Sequence, residues 1–135
     1  MEYRTADAVK AGLDPLKMQP KVDVEWVRTL PIEDGMKVLD VGCFKGRDIR
    51  QLWADFPNCQ LTGVDRYQPA VDYCREHHAD TGATFIHAEG TKLPFKDKEF
   101  DVVFENGMIA DQDNPETIKF IKAEMERVGK AVYYC

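Results

Sequence analysis

Hydrophobic positions recur at helical spacing in some segments of the chain and form short continuous runs in others. The helical spacing predicts helices over 23–30, 48–56, 69–81 and 115–128. The short runs, bounded by turn-forming residues, predict strands over 36–41, 59–65, 83–88, 100–105 and 131–135. Residues 1–20 show little periodicity, and we expect an irregular arm there that holds one short helix at most.

Prolines and glycines mark the boundaries of several predicted elements. Pro31 ends the first helix, whereas Pro69 and Pro115 suit the first turns of later helices. Asn114 is the expected N-cap of the last helix, and Gly129 is its expected stop.

The alternation of strands with helices predicts an α/β fold. Such a pattern is typical of a doubly wound, mostly parallel sheet, here of about five strands with helices on both faces. A length of 135 residues favours one domain over 1–135 with a single core. In sheets of this kind ligands bind beyond the carboxyl ends of the strands, so the informative side chains are expected just after each strand.

Composition and charge narrow the classes of partner. Hydrophobic residues make up 44% and charged residues 31%, which is typical of a globular protein. The polar start and the lack of a long apolar run predict a cytoplasmic protein that does not cross a membrane. A net charge of −6 argues against nucleic acid as a partner. The basic residues near the last helix alternate with glutamates and are expected on a solvated face: Lys119, Lys122, Arg127 and Lys130.

Cysteine and histidine spacing does not indicate a metal site. Cys43, Cys59, Cys74 and Cys135 fit no zinc pattern, so we expect four reduced thiols and no bound metal. The adjacent histidines at 77 and 78 point to different faces of a helix, and we expect both to be solvated.

Candidate binding residues follow the first two strands. Gly42 and Gly46 allow a tight turn and close approach of a ligand to the backbone. Asp40, at the end of the first strand, would repel a pyrophosphate but suits an ammonium or sulfonium group. Asp65, at the end of the second strand, can accept hydrogen bonds from both hydroxyls of a ribose. Taken singly, each feature also fits an ordinary turn or strand end.

Taken together, these segments resemble the class I S-adenosylmethionine-dependent methyltransferases, especially the small-molecule enzymes related to those of ubiquinone biosynthesis. Residues 38–43 look like the first motif of that family, 61–65 like the second and 87–95 like the third. Residues 100–104 are similar to its fourth strand, and 124–128 to the helix that follows. The resemblance implies a Rossmann-like fold and S-adenosylmethionine as cofactor, with S-adenosylhomocysteine as product.

The resemblance also implies a set of cofactor-binding residues, with Asp40 near the methionine ammonium, Asp65 at the ribose and Glu89 near the adenine. The full set is Asp40, Gly42, Cys43, Phe44, Gly46, Asp65, Arg66, Ala88, Glu89, Gly90 and Glu105. No catalytic residue is identified. Candidates for a base are Glu105, Asn106 and Asp111, which equally fit as strand caps and a loop residue.

The sequence departs from the family at three points. Phe44 stands where glycine is usual, and its side chain either closes over the pocket or points into the helix–sheet core. Glu89 replaces a more common Asp. The usual C-terminal strand pair is lacking, so the last strand is expected at an open edge.

Two functions and two assemblies therefore stay open. The chain either transfers a methyl group to a small-molecule acceptor or is a non-catalytic S-adenosylmethionine- or S-adenosylhomocysteine-binding module or partner subunit. It either forms a homodimer through strand 131–135 or is a monomer whose N-terminal arm covers that edge. An NAD-binding fragment is disfavoured by Asp40 and by the glycine spacing.

Overall fold

The fold is a single parallel sheet flanked by helices. The computed structural model describes residues 5–17 and 24–135. Its helices are α1 (Thr5–Lys10), α2 (Val24–Val27), α3 (Arg47–Asp55), α4 (Gln68–His77) and α5 (Pro115–Val128). Its strands are β1 (Lys37–Val41), β2 (Gln60–Asp65), β3 (Thr84–His87), β4 (Phe100–Glu105) and β5 (Gly129–Tyr134).

Sheet topology confirms the predicted doubly wound arrangement. The strand order is β3-β2-β1-β4-β5, and every pair is parallel. Successive side chains of β4 alternate between two hydrophobic clusters, with Val102 and Phe104 in one and Val103 in the other. The first cluster includes Leu52 of α3 and Val71 of α4, whereas the second includes residues of α5, so helices cover both faces as predicted.

Two predicted helices are shorter than expected. The helix predicted over 23–30 spans only Val24–Val27, and position 23 lies outside the described residues. Beyond it, the Thr29 and Leu30 amides bond to carbonyls three residues back, and the Thr29 hydroxyl competes for the Trp26 carbonyl at 2.6 Å. The helix predicted over 69–81 ends at His77 and is followed by a separate 3-10 turn, Ala79–Thr81.

The junction between α5 and β5 differs from the prediction in its geometry. Gly129 ends the helix, but its backbone is extended and begins β5 at once. A Cβ at this position would lie 2.7 Å from Cγ2 of Val103, so glycine allows the start of β5 to lie close to the Val103 side chain of β4.

The predicted N-terminal arm holds α1 and a 3-10 turn, Pro15–Lys17, within its described part, while residues 1–4 and 18–20 lie outside the described residues. Within 5–17 and 24–135, no helix is long and apolar enough to cross a membrane.

Candidate functional site

Three acidic residues meet where the central strands end. In the sheet register Asp40 of β1 lies opposite Gly63 of β2 and Phe104 of β4. Asp65 and Glu105, the last residues of β2 and β4, therefore lie at the same edge of the sheet as Asp40. The strand ends therefore bring these three carboxyl groups to one place, and their role in binding a ligand stays a prediction.

Asp40 sits in an environment that disfavours its negative charge. Its side chain is 2% exposed, and burial raises the pKa of its carboxyl well above the ordinary value. The neighbouring carboxylates of Asp48, Asp65 and Glu105 raise this pKa further, and the thiol of Cys74 contributes in the same direction. A cation bound here would reverse much of that penalty, because it would replace repulsion with attraction.

Asp65 organises the backbone around it. Its Oδ1 accepts a 2.8 Å hydrogen bond from the Tyr67 N–H, and its Oδ2 accepts one of 2.9 Å from the Phe44 N–H. Burial raises the pKa of Asp65, although the two backbone bonds and the nearby Arg66 and His87 oppose the shift. Each carboxylate oxygen has two lone pairs, so the hydrogen bonds to a ribose remain possible.

The β1–α3 loop (residues 42–46) is fixed to β2 at its start. The amides of Gly42 and Cys43 donate to the Val64 carbonyl at 2.8 and 2.9 Å. Phe44 then has a φ of 45°, a left-handed backbone that costs a non-glycine residue about 1–2 kcal/mol. Its side chain is half-buried and belongs to neither hydrophobic cluster of the described residues, and closure of the ring over the cofactor stays a prediction.

Helix α4 fixes the other side of the β1–α3 loop. The Cys74 thiol donates to the Phe44 carbonyl at 3.1 Å, and Nε2 of His78 lies 2.7 Å from the Lys45 carbonyl. A Cβ on Gly46 would lie 2.6 Å from Cδ2 of His78, so the imidazole packs directly on the loop. The expectation of two solvated histidines is therefore wrong for His78, because the loop and the end of α4 fold against each other. The side chain of the neighbouring histidine is exposed.

The candidates for a base have structural partners. Oε1 of Glu105 accepts from the Cys135 N–H at 2.7 Å, and Oε2 accepts from the Ile109 N–H at 3.1 Å. Asn106 is buried and donates through Nδ2 to Oδ2 of Asp48 at 2.9 Å. Asp111 ends a 3-10 turn, Ile109–Asp111, and is half-buried. These contacts favour supporting roles for Glu105 and Asn106.

The expected adenine end lies after β3. The Ala88 N–H donates to the Asp65 carbonyl at 3.1 Å, which joins the two strand ends. Glu89 is exposed, and Gly90 packs against Ile121 of α5. Arg66 is exposed, and its carbonyl lies 2.9 Å from Nε2 of the histidine that ends β3.

Arg127 holds the loop after β3 in place. Its guanidinium donates to the carbonyls of Leu93 and Phe95 and to the carboxylate of Glu124. The Glu124 carboxylate also accepts from the Leu93 N–H at 2.8 Å. The expectation of a solvated basic face is therefore wrong for Arg127, because loop carbonyls converge on it.

Sequence reasoning missed several residues that shape this site. They are Asp48, which raises the pKa of Asp40; Cys74 and His78, at the end of α4; and Met108, which lies against Gly42. Asp48 could have been found from its place in the first turn after the glycine loop, whereas the others carry no local sequence signal. Of the four cysteines, Cys43 and Cys74 are buried, Cys59 is half-buried and Cys135 is exposed.

Comparisons with known proteins identify the chain's relatives. Residues 32–135 match the family model described as "Methyltransferase domain". The chain is 36% identical over 70 residues to a fatty-acid O-methyltransferase of Mycolicibacterium smegmatis, covering 52% of this chain and 26% of that protein. It is 32% identical over 103 residues to a sterol 24-C-methyltransferase of Gibberella zeae, covering 73% and 26%.

Solved structures share the fold. A methyltransferase from a complex with the Trm112 activator of Haloferax volcanii superimposes with a TM-score of 0.72 at 21% identity, covering 82% of this chain and 49% of that one. The chain spans about a quarter of the length of the curated relatives it matches.

Proposed function

The chain belongs to the methyltransferase domain family, and on that premise we propose that it binds S-adenosylmethionine and transfers its methyl group to a small-molecule acceptor. The observation that carries the proposal is the buried Asp40 among further carboxylates at the ends of the central strands. This negative site fits a ligand with an ammonium and a sulfonium group and disfavours the pyrophosphate of a dinucleotide.

The residues at the strand ends fit the parts of this cofactor in order along the sheet. Asp40 would attract the ammonium, with the backbone of Gly42 and Cys43 beside the methionine. Asp65 would accept hydrogen bonds from the ribose hydroxyls, and Glu89 would lie toward the adenine. The joined backbone of Phe44, Asp65 and the end of β3 supports this order.

Methyl transfer requires little chemistry from the protein. The bound cofactor supplies an electrophilic methyl group on a positively charged sulfur. The protein must align the acceptor with that group and exclude water. Because Glu105 and Asn106 already bond to neighbouring groups, we assign no general base. The relatives named above are enzymes on a fatty acid and a sterol, which favours turnover on an apolar acceptor over a non-catalytic binding module.

The test has two stages. Calorimetry should show binding of S-adenosylhomocysteine but not of NAD at neutral pH. Assays with S-adenosylmethionine carrying a tritiated methyl group should then transfer label to some member of a panel of fatty acids and sterols. Lack of binding would overturn the proposal. Binding without transfer to any acceptor, including proteins and nucleic acids, would support the non-catalytic module instead.

The homodimer through β5 and the cytoplasmic location stay predictions. Within the described residues β5 pairs only with β4, which leaves its other edge open to a second chain. Light scattering at micromolar concentration should show a dimer that Val132→Lys abolishes. A monomer would contradict the prediction.

A further inference from the structure

The C-terminal end of α4 and the residue that follows it bond through their side chains to consecutive carbonyls of the β1–α3 loop. Cys74 lies in the last turn of α4, and His78 is the residue that directly follows the helix, with its N–H bonded to the Cys74 carbonyl at 2.8 Å. The thiol of Cys74 bonds to the Phe44 carbonyl and the imidazole of His78 to the Lys45 carbonyl. The two bonds hold the backbone on either side of the left-handed turn at Phe44.

The neighbours of His78 determine its tautomer. Nδ1 lies 2.9 Å from Nε of Arg50, which can only donate, so Nδ1 must accept. Nε2 lies 2.7 Å from the Lys45 carbonyl, which can only accept, so Nε2 must carry the proton. The arrangement therefore requires a neutral imidazole with its proton on Nε2.

Protonation of His78 would place a second N–H against the Arg50 guanidinium. Arg50 is fixed by two hydrogen bonds to the carboxylate of Asp80, at 2.6 and 3.1 Å, and by one to the carbonyl of His77. Since the guanidinium is held in three places, the ring is the group that must move. Its movement would release the Lys45 carbonyl.

Some charged groups around the imidazole raise the pKa of His78, and others lower it. Arg50 of α3 and the adjacent His77 lower the pKa of His78, whereas Asp80 of the 3-10 turn raises it. Nζ of Lys45 lies 5.6 Å from the centre of the Tyr73 ring, and that ring lies 6.2 Å from the ring of His78. Burial is the largest effect and lowers this pKa below the ordinary value, although the bond to the Lys45 carbonyl opposes it.

We propose that His78 is a positioning residue whose neutral imidazole holds the β1–α3 loop in the shape that binds the methionine part of S-adenosylmethionine. This inference rests on the proposed function of the site. Because only the neutral form is competent, the apparent affinity falls as pH falls through the pKa of His78, by up to about tenfold per pH unit below it.

The test compares three proteins across pH. Calorimetry with S-adenosylhomocysteine from about pH 5 to about pH 8 is applied to the wild type, His78→Gln and His77→Gln. Glutamine keeps a donor for the Lys45 carbonyl but does not titrate. His78→Gln should therefore bind like the wild type at the upper pH. As pH falls, its affinity should decrease less than that of the wild type. His77→Gln is the matched control, because its side chain is exposed and does not contact the loop carbonyls. This variant should keep the acid-side fall in affinity, which begins at a slightly higher pH because His77 lowers the pKa of His78.

Titration of Asp40 and Asp65 is common to all three proteins and cancels in the comparison. Equal acid-side falls for the wild type and His78→Gln would overturn the inference. NMR of the protein without ligand provides a second measurement, in which the amides of Lys45 and Gly46 should shift with the titration of His78. If no protein binds the cofactor, the proposed function fails. The NMR measurement then still tests whether His78 holds the loop, because it needs no ligand. Amide shifts of Lys45 and Gly46 that do not follow the titration of His78 would overturn that contact.

Discussion

The backbone N–H of Phe44 donates a 2.9 Å hydrogen bond to Oδ2 of Asp65. This bond joins the β1–α3 loop, expected at the methionine, to the carboxylate expected at the ribose. The two ends of the proposed cofactor site are therefore directly connected, and a substitution of Asp65 should affect both of them.

Replacement of Asp65 by alanine should weaken binding of S-adenosylhomocysteine strongly. The variant loses acceptors for the ribose and also the anchor of the Phe44 amide, at an expected cost of about 1.5–3 kcal/mol in binding free energy. Calorimetry measures the change. Asp72→Ala, an exposed carboxylate on α4 that bonds to Gln68, is the control and should bind normally. An unchanged dissociation constant for Asp65→Ala would refute the ribose assignment.

Asp40→Asn should change how stability depends on pH. Because the folded protein raises the pKa of Asp40, it holds a proton there that the unfolded chain loses above about pH 4. The folded state then binds more protons, so the contribution of Asp40 to the free energy of unfolding falls as pH rises toward its raised pKa. Asparagine does not titrate, so the variant should gain on the wild type as pH rises. Urea unfolding at several pH values measures this, and a constant difference would contradict it.

Gly46→Ala should destabilise the protein more than Gly82→Ala. Both glycines have left-handed backbones, with φ of 79° and 70°, so both variants bear a conformational cost of about 1–2 kcal/mol. Only at Gly46 would the new Cβ also meet a neighbour, at 2.6 Å from Cδ2 of His78, whereas Gly82 has nothing within 4 Å. Denaturant midpoints of the two variants compare the costs. Equal losses would show that the imidazole does not pack on the loop.

Phe44→Gly tests whether the ring covers the cofactor. Glycine removes the strain of the left-handed backbone but adds freedom to the unfolded chain, so stability should change little. Affinity for S-adenosylhomocysteine should fall if the half-buried ring shields the ligand from water. Phe44→Leu keeps an apolar cover and should lose less. Tighter binding by Phe44→Gly would instead identify the ring as an obstruction.

Much of the fold could be predicted because its signals are local. The strand at 100–105 has the predicted bounds, and α5 begins at Pro115 after the cap Asn114, whose side chain accepts from the Glu116 N–H. The end of α4 could not be placed, because a turn in which the Thr81 hydroxyl bonds to the His78 carbonyl replaces the last helical turn.

The position of the candidate site could be predicted only where its residues end strands. The sequence places Asp40 and Asp65 at one edge of the sheet because parallel strands bring their carboxyl ends together, and their role in binding stays a prediction. The contact of His78 with Lys45 joins residues 33 positions apart, and that of Asn106 with Asp48 joins residues 58 apart. Such pairs meet only through the packing of α3 and α4 on the sheet, which no local pattern encodes.

The central place of β1 has a consequence for the order of folding. Contacts within each half of the sheet close short loops: Phe44 reaches Asp65 over 21 residues, and Cys135 reaches Glu105 over 30. The bond from Lys37 to Asp101, between β1 and β4, spans 64. Since longer loops cost more entropy to close, the two halves should form first and join along the β1–β4 seam. Asp40 and Glu105 lie on the two strands of this seam, so we expect the repulsion between their carboxylates to slow this late step of folding.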